Sequence, residues 1–212
     1  MTKVGFLPRQ WIMLAVLGSF LGYGFPTCEG CLYTKGKEFV LSFLESFENA
    51  NNQPQLYITS TSDTSVTIEA PADGYTTTVD VSADEKVTVT LPRSSVEMSG
   101  SQSDNKAVYV TSDQDINLLA VSGEGLITGA YRVLPISFLG SEYFIPGYSA
   151  SGQLSEFGVI SAYPDTTVTI TPTHDVTFDG AAYPAGTAFD VELGEYEGLQ
   201  VQSAGDLTGV SR

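Results

Sequence analysis

The fold of this chain is decided by the stretch Leu56-Tyr-Ile-Thr-Ser-Thr-Ser-Asp-Thr-Ser-Val-Thr-Ile68. Apolar and polar residues alternate on both sides of a short polar segment, which is typical of strands that bury one face. We therefore predict two short strands joined as a hairpin. A related stretch, Val159-Ile-Ser-Ala-Tyr-Pro-Asp-Thr-Thr-Val-Thr-Ile170, follows with Asp165 at the place of Asp63, an offset of 102 residues.

This offset indicates an internal repeat. Solenoid and propeller repeats have periods of roughly 20–50 residues, so a longer period favours a duplicated β-domain. A second pair of stretches, at Gly36-Lys-Glu-Phe39 and Gly140-Ser-Glu-Tyr143, gives an offset of 104 residues. We predict a first unit at residues 36–139 and a second, incomplete unit at 140–212. We also expect the second unit to lack its last strands, to expose an unprotected sheet edge and to be less ordered after Gly198.

The fold class predicted from these patterns is all-β. Short alternating segments with turn residues between them are typical of antiparallel sandwiches and jelly rolls. We expect tandem β-sandwich units of the jelly-roll type. Within the first unit, the pattern predicts a short strand at Val96–Met98 and two strands, Lys106–Thr111 and Ile116–Ser122, that flank a turn at residues 112–115.

Composition narrows the function classes. The formal net charge is −16, and only 16% of the residues are charged. An acidic chain repels phosphate groups, so nucleic acids and anionic membrane surfaces are disfavoured as partners. The abundant Ser and Thr supply the polar faces of the strands.

Residues 1–24 have the pattern of a secretory signal peptide. Lys3 and Arg9 precede an apolar run from Trp11 to Phe20, and small residues follow up to Gly24. This run is shorter than the ~20 residues of a membrane-spanning helix, although a signal-anchor helix is the alternative. We expect cleavage near Gly24, secretion, no membrane association of the cleaved product and loss of Trp11, the single tryptophan.

Cys28 and Cys31 form a Cys-x-x-Cys motif in the segment 25–35. A redox pair of the thioredoxin type requires a βαβ unit, and zinc requires further ligands that this sequence does not supply. The remaining interpretation is a local disulfide, or links to a partner chain, in an oxidising compartment.

Candidate catalytic or metal-binding residues are few. Glu195 and Glu197 form a carboxylate pair, His174 is the single histidine, and Asp113 and Asp115 lie two residues apart. Glycosidase carboxylates usually come from different elements across a cleft. We therefore predict a solubilising edge for the glutamates, a surface position for His174 and a polar turn for the aspartates. The alternatives are catalysis by the glutamates and calcium binding by the aspartates.

Tyrosine is frequent in the predicted strands and is suited to an amphipathic contact surface. Core and rim packing is the favoured interpretation for each single ring, because Tyr is enriched in strands, and the contact surface is the alternative. The candidates are Tyr57, Tyr75, Tyr109, Tyr131, Tyr143, Tyr148 and Tyr163.

Several motifs, taken together in their order, resemble the N-terminal domain of IgGFc-binding proteins. They are Gly36-Lys-Glu-Phe39, the stretch 56–68, Val87-Thr-Val-Thr-Leu-Pro92, Tyr109-Val-Thr-Ser-Asp113, Ala130-Tyr-Arg-Val-Leu-Pro135 and Leu139-Gly-Ser-Glu-Tyr-Phe-Ile-Pro146. The resemblance covers residues 36–211. It implies a secreted protein of mucus or extracellular matrix, in a family of which one member binds the Fc part of immunoglobulin G.

The expected function is therefore a non-catalytic protein-interaction or structural module, with extracellular proteins or glycoproteins as partners and no cofactor. The alternative is a secreted carbohydrate-binding or carbohydrate-active domain that uses surface carboxylates, with or without calcium.

Overall fold

Alternating apolar and polar residues produce antiparallel strands along most of the chain, as the sequence predicts. The computed structural model describes residues 3–6, 12–13, 34–46, 53–123, 129–145 and 154–207. The strands are β1 (Lys3–Phe6), β2 (Ile12–Met13), β3 (Gly36–Leu41), β4 (Gln55–Ser60), β5 (Thr64–Ala70), β6 (Tyr75–Val81), β7 (Lys86–Thr90), β8 (Gln102–Asp104), β9 (Val108–Ser122), β10 (Gly129–Val133), β11 (Glu142–Phe144), β12 (Ser155–Ser161), β13 (Thr166–Thr171), β14 (Val176–Phe178), β15 (Ala181–Tyr183), β16 (Phe189–Leu193) and β17 (Gly198–Ser203).

The first unit is built around the long strand β9. The strand order is β6-β5-β9-β4-β7, and β3 and β10 also pair with β9. All of these pairings are antiparallel. The prediction of an all-β, antiparallel fold is confirmed.

The predicted hairpin at 56–68 is wrong, although both of its strands are present. Strands β4 and β5 do not pair with each other. Ser60 lies opposite Ile116 and Val66 lies opposite Ser112, so the two strands follow one another along the same edge of β9. Residues 61–63 form a bend between them. Alternation determines which face of a strand is buried, but it does not specify the strand's partner.

The sheet bends at three neighbouring places, residues 61–63, 82–85 and 112–115, and these bends divide it into two layers. Strand β9 is also continuous through residues 112–115, where a turn is predicted, and the Ser112 Oγ donates to the Gln114 carbonyl in this segment at 2.7 Å. Residues 82–85 form the corresponding bend between β6 and β7. The inward side chains of both layers share a single core, to which Leu56 and Ile58 of β4 and Val66 and Ile68 of β5 all contribute.

The predicted strand at Val96–Met98 is also wrong. Residues Arg93–Val96 form one turn of α-helix, α1, and Glu97 makes an isolated parallel bridge with Phe43. Val96 and Met98 are buried against the first core. Their apolar character therefore reflects burial of a helical turn, which a short apolar segment does not distinguish from a strand.

The second unit contains two four-stranded sheets, β11-β1-β13-β16 and β2-β12-β17-β8, and the hairpin β14–β15. It has its own core, centred on Val159, Val168, Ile170, Leu199 and Val201. Strands β12 and β13, the counterparts of β4 and β5, also do not pair with each other. The 102-residue repeat of whole units remains a prediction.

The sheet edge that the sequence leaves open is paired in the structure. Strand β13 pairs with β1, and β12 pairs with β2. Both partners come from the segment predicted as a signal peptide, whose cleavage remains a prediction. Strand β8 pairs with β17, so residues of the predicted first unit complete a sheet of the second.

The two units pack closely. Ile160 and Ala162 belong to the core cluster of the first unit. A Cβ added at Gly198 would lie 2.4 Å from Met98 Cε, and one added at Gly158 would lie 2.6 Å from Leu44 Cδ2. Both glycines therefore allow a close approach between the units.

Candidate interaction surface

The outer face of one layer of the first unit carries a row of four side chains from four strands. Thr88 of β7 lies opposite Tyr57 of β4, Tyr57 lies opposite Leu119 of β9, and Leu119 lies opposite Arg132 of β10. Neighbouring Cβ atoms in such a row are about 5 Å apart, so the side chains form a continuous surface. We call this surface, together with Lys86, the Tyr57 face.

Alternation along each strand explains why these side chains point outward. Leu56 and Ile58 are fully buried, and they flank Tyr57 on the inward face of β4. Leu118 and Ala120 flank Leu119 in the same way on β9. Tyr57 and Leu119 remain partly exposed, while Arg132 is exposed.

The Tyr57 face is basic on an acidic chain. Lys86 Nζ lies 4.3 Å from the centroid of the Tyr57 ring, which is a cation–π arrangement. Arg132 Nη1 donates to Thr34 Oγ1 at 3.0 Å. In the part of this layer that the structure describes, the outward positions of β4, β7, β10 and residues 116–122 of β9 carry no acidic side chain, and the nearest exposed acidic residue along β9 is Asp115, in the bend. These outward positions are Gln55, Tyr57, Thr59, Lys86, Thr88, Thr90, Asn117, Leu119, Val121, Ala130 and Arg132.

The other layer presents an outer face of opposite charge. Tyr109 lies opposite Glu69, and Glu38 lies on the neighbouring strand. The Tyr109 ring stacks on the Tyr196 ring with a centroid distance of 4.7 Å. Burial, followed by the charge of Glu38, raises the pKa of Tyr109. Because Tyr196 comes from the second unit, this pair is part of the contact between units.

The remaining tyrosines are divided between core and surface. Tyr131 is inward and its hydroxyl donates to the Ser42 carbonyl; burial raises its pKa. Tyr75 packs against the first core, and Tyr143 packs against the second. Tyr163 is 36% exposed in the bend after β12. Tyr148, like Cys28 and Cys31, lies outside the described residues.

The predicted carboxylate pair belongs to a bend rather than to a cleft. Residues 194–197 connect β16 to β17, and Glu197 Oε2 accepts a hydrogen bond from the Gly194 N–H at 2.8 Å. Glu195 is exposed beside Tyr196. His174 is exposed, as predicted, and lies against Gly205.

The aspartates at 113 and 115 lie in the bend of β9. Asp113 lines an open cleft together with Asp63 and Asp80. The Asp63 carboxylate accepts a hydrogen bond from the Ala83 N–H at 2.8 Å and so holds the neighbouring bend. Within the described ranges, no group of three or more His, Cys, Asp or Glu side chains is arranged to hold a metal ion.

A titratable cluster that the sequence does not reveal lies where the units meet. Gln202 Nε2 donates to both Glu156 Oε2, at 3.1 Å, and Glu45 Oε2, at 2.9 Å. Burial is the main cause that raises the pKa of Glu156 to about 7, and the charges of Glu45 and Glu97 raise it further. Only the folded chain brings Glu45 and Glu156 together, because they are far apart in sequence.

None of the helices in the described part of the chain combines the length and the apolar character needed to span a membrane.

Comparison with known proteins places residues 129–211 within the family described as IgGFc binding protein. The human IgGFc-binding protein is 34% identical over 216 residues, which cover 97% of this chain. The chain spans only 4% of the length of that human protein. No solved structure matches the chain significantly.

Proposed function

Because this chain carries a domain of the IgGFc-binding protein family, we propose that it is a secreted, non-catalytic module that binds extracellular proteins or glycoproteins. The similarity to the human protein supports the binding function. The signal-like residues 1–24 support secretion. Mucus and extracellular matrix are the proposed locations.

The observation that carries the proposal is the composition of the Tyr57 face. Protein interfaces are enriched in Tyr and Arg, and the residues that dominate binding energy are often these two types beside apolar contacts. Tyr57, Leu119 and Arg132 form such a set in adjacent positions. The rigid sheet holds them without an entropic cost of ordering a loop.

Charge indicates the chemistry of the partner. The Tyr57 face presents Lys86 and Arg132 on a chain with a net charge of −16. An acidic partner surface would be attracted to this face and repelled elsewhere, which orients the encounter. The Fc part of immunoglobulin G, named in the human relative, is the first partner to test.

The proposal is tested by measuring the binding of the full chain to immobilised Fc on a biosensor. We expect Tyr57→Ala and Arg132→Ala each to weaken binding by roughly tenfold or more, as hot-spot truncations do. Tyr163→Ala is the matched control, because it removes an exposed ring from a different surface. Equal loss in all three variants, or no loss in the first two, would refute the assignment of this face.

A further inference from the structure

The second unit contains a slot for a central strand, and that slot is filled from the opposite end of the chain. In the first unit, β4 and β5 are flanked on one edge by β7 and β6 and on the other edge by β9. In the second unit, β12 and β13 are flanked on one edge by β17 and β16. Their other edge pairs with β2 and β1.

The registers of the two units agree along this edge. Ile68 of β5 lies opposite Val110, and Ile170 of β13 lies opposite Val4. On the other side of the bend the pairing partners also correspond, but the spacing along the central strand differs.

Ser60 at the end of β4 lies opposite Ile116, and Ser161 at the end of β12 lies opposite Ile12. Val4 and Ile12 are eight residues apart, whereas Val110 and Ile116 are six apart, so β1 and β2 each take the place of one half of β9, with a two-residue difference in spacing between the halves.

The strands on the other side of the slot also correspond between the two units. Phe39 of β3 lies opposite Val110, and Tyr143 of β11 lies opposite Val4. Strand β1 is thus hydrogen-bonded on both sides, by β11 and β13, as a central strand is. A strand in this position gains backbone hydrogen bonds from two partners, whereas a strand added to an exposed sheet edge gains them from one.

We propose that the slot between β11 and β13, continued along β12, is a strand-acceptor site for a basic, extended segment of a partner polypeptide. Strands β1 and β2 occupy the site in this structure and belong to a separable segment. Removal of residues 1–24, as predicted for a signal peptide, frees the site for the partner. This proposal does not depend on the Tyr57 face.

Charge supports a basic occupant. Residues 3–13 contain Lys3 and Arg9 and no acidic residue. The strands around the slot are acidic: Glu142 lies opposite Gly5, and Asp190 and Glu192 accept hydrogen bonds from Thr169 and Thr167 of β13. Backbone pairing supplies affinity at such a site, while charge selects the partner.

The test uses the full chain with a site-specific protease sequence inserted after Gly24. The folded chain is cut, passed through gel filtration at low concentration, and mixed with a fluorescent peptide of residues 3–13. We expect the severed strand to stay bound through the column and the labelled peptide to exchange into the site. A Gly5→Pro peptide lacks one backbone N–H of the ladder and should bind at least tenfold more weakly. A peptide with Lys3→Glu and Arg9→Glu should also bind more weakly.

Release of the severed strand without binding of the labelled peptide, by a chain that keeps its β-sheet circular dichroism, would overturn the proposal. Equal binding of the Gly5→Pro peptide would do the same. A second measurement applies if the cut chain loses its fold. In the intact chain, Gly5→Pro should speed hydrogen exchange of the β13 amides at least tenfold, and added wild-type peptide should restore their protection. Unchanged exchange would exclude β1 from the slot.

Discussion

Ser60 and Ser161 hold the two strand bends in the same way. The Oγ atom of each accepts a hydrogen bond from the backbone N–H two residues later, at 3.2 Å in both bends. Both side chains are almost completely buried, at 4% and 0% exposure. The residues that face these bends, Asp84 and Tyr196, both have positive φ angles, 61° and 57°. The two units therefore share the same serine hydrogen bond at the bend where the chain passes from one layer to the other.

These hydrogen bonds predict that removal of the serine hydroxyl lowers the free energy of unfolding. Ser161→Ala deletes a buried hydroxyl that also donates to Thr166 Oγ1 at 2.7 Å. We expect the free energy of unfolding to fall by about 1–3 kcal/mol, because buried partners are left unsatisfied. Urea unfolding measures the loss. Ser62→Ala, at an exposed position, is the control and should change stability by less than about 0.5 kcal/mol. Equal effects of the two variants would contradict the role of the bend.

The close approach of the units predicts that alanine substitution at two glycines has different effects on stability. Gly198→Ala places a Cβ 2.4 Å from Met98 Cε and 3.1 Å from the Val159 carbonyl oxygen. We expect destabilisation by about 1–3 kcal/mol from overpacking. Gly129→Ala meets no atom within 4 Å and should be close to neutral. Thermal melting of the two variants, compared at the same pH, tests whether the units pack as described.

The cluster around Glu156 predicts how stability depends on pH. The folded-state pKa of about 7 lies above the ordinary value of 4.5, so the folded chain binds more protons than the unfolded chain between these values. The free energy of unfolding contributed by Glu156 therefore falls as the pH rises from about 4.5 to about 7, by up to about 3 kcal/mol, and then becomes constant.

Glu156→Gln should remove this contribution. Relative to wild type, the variant should gain stability between pH 5 and pH 8, while Glu85→Gln, at an exposed position, should keep the wild-type profile. A constant difference between wild type and Glu156→Gln across this pH range would show that the carboxyl does not titrate as inferred.

The alternative of a calcium-dependent domain makes a separate prediction. The described residues offer no group of three metal-ligating side chains, and the Asp63 carboxylate already accepts the Ala83 N–H. We expect millimolar calcium to leave Tm unchanged. A calcium-dependent rise in Tm that Asp113→Asn abolishes would instead favour the predicted alternative at the bend of β9.

The sequence predicts strands better than it predicts their partners. Alternation locates β4, β5, β12 and β13, because inward positions such as Ile58 and Ile170 must be apolar. It does not reveal that β4 and β5 pair with β9, which is about 50 residues away in sequence. The predictions of a hairpin at 56–68 and of a turn at 112–115 are wrong for this reason. A short polar segment is compatible both with a reversal of the chain and with a bend in a chain that continues in the same direction.

The Tyr57 face also depends on strand pairings that the sequence does not reveal. Tyr57 is recognisable in the sequence as a strand tyrosine, but Leu119 and Arg132 become its neighbours only through the registers of β4, β9 and β10. Lys86 joins them from β7. Glu156 is missed because its raised pKa arises from burial between the units, which no local pattern reports.

The most direct test of binding through the Tyr57 face is a hydrogen-exchange footprint of bound Fc on this chain. If Fc binds the Tyr57 face, binding should slow exchange in β4, β7, β10 and the second half of β9, the strands that carry Tyr57, Lys86, Arg132 and Leu119. Exchange in β5 and β6, which form the opposite layer, should not change. A footprint confined to β5 and β6, or the absence of any footprint with saturating Fc, would contradict binding through the Tyr57 face.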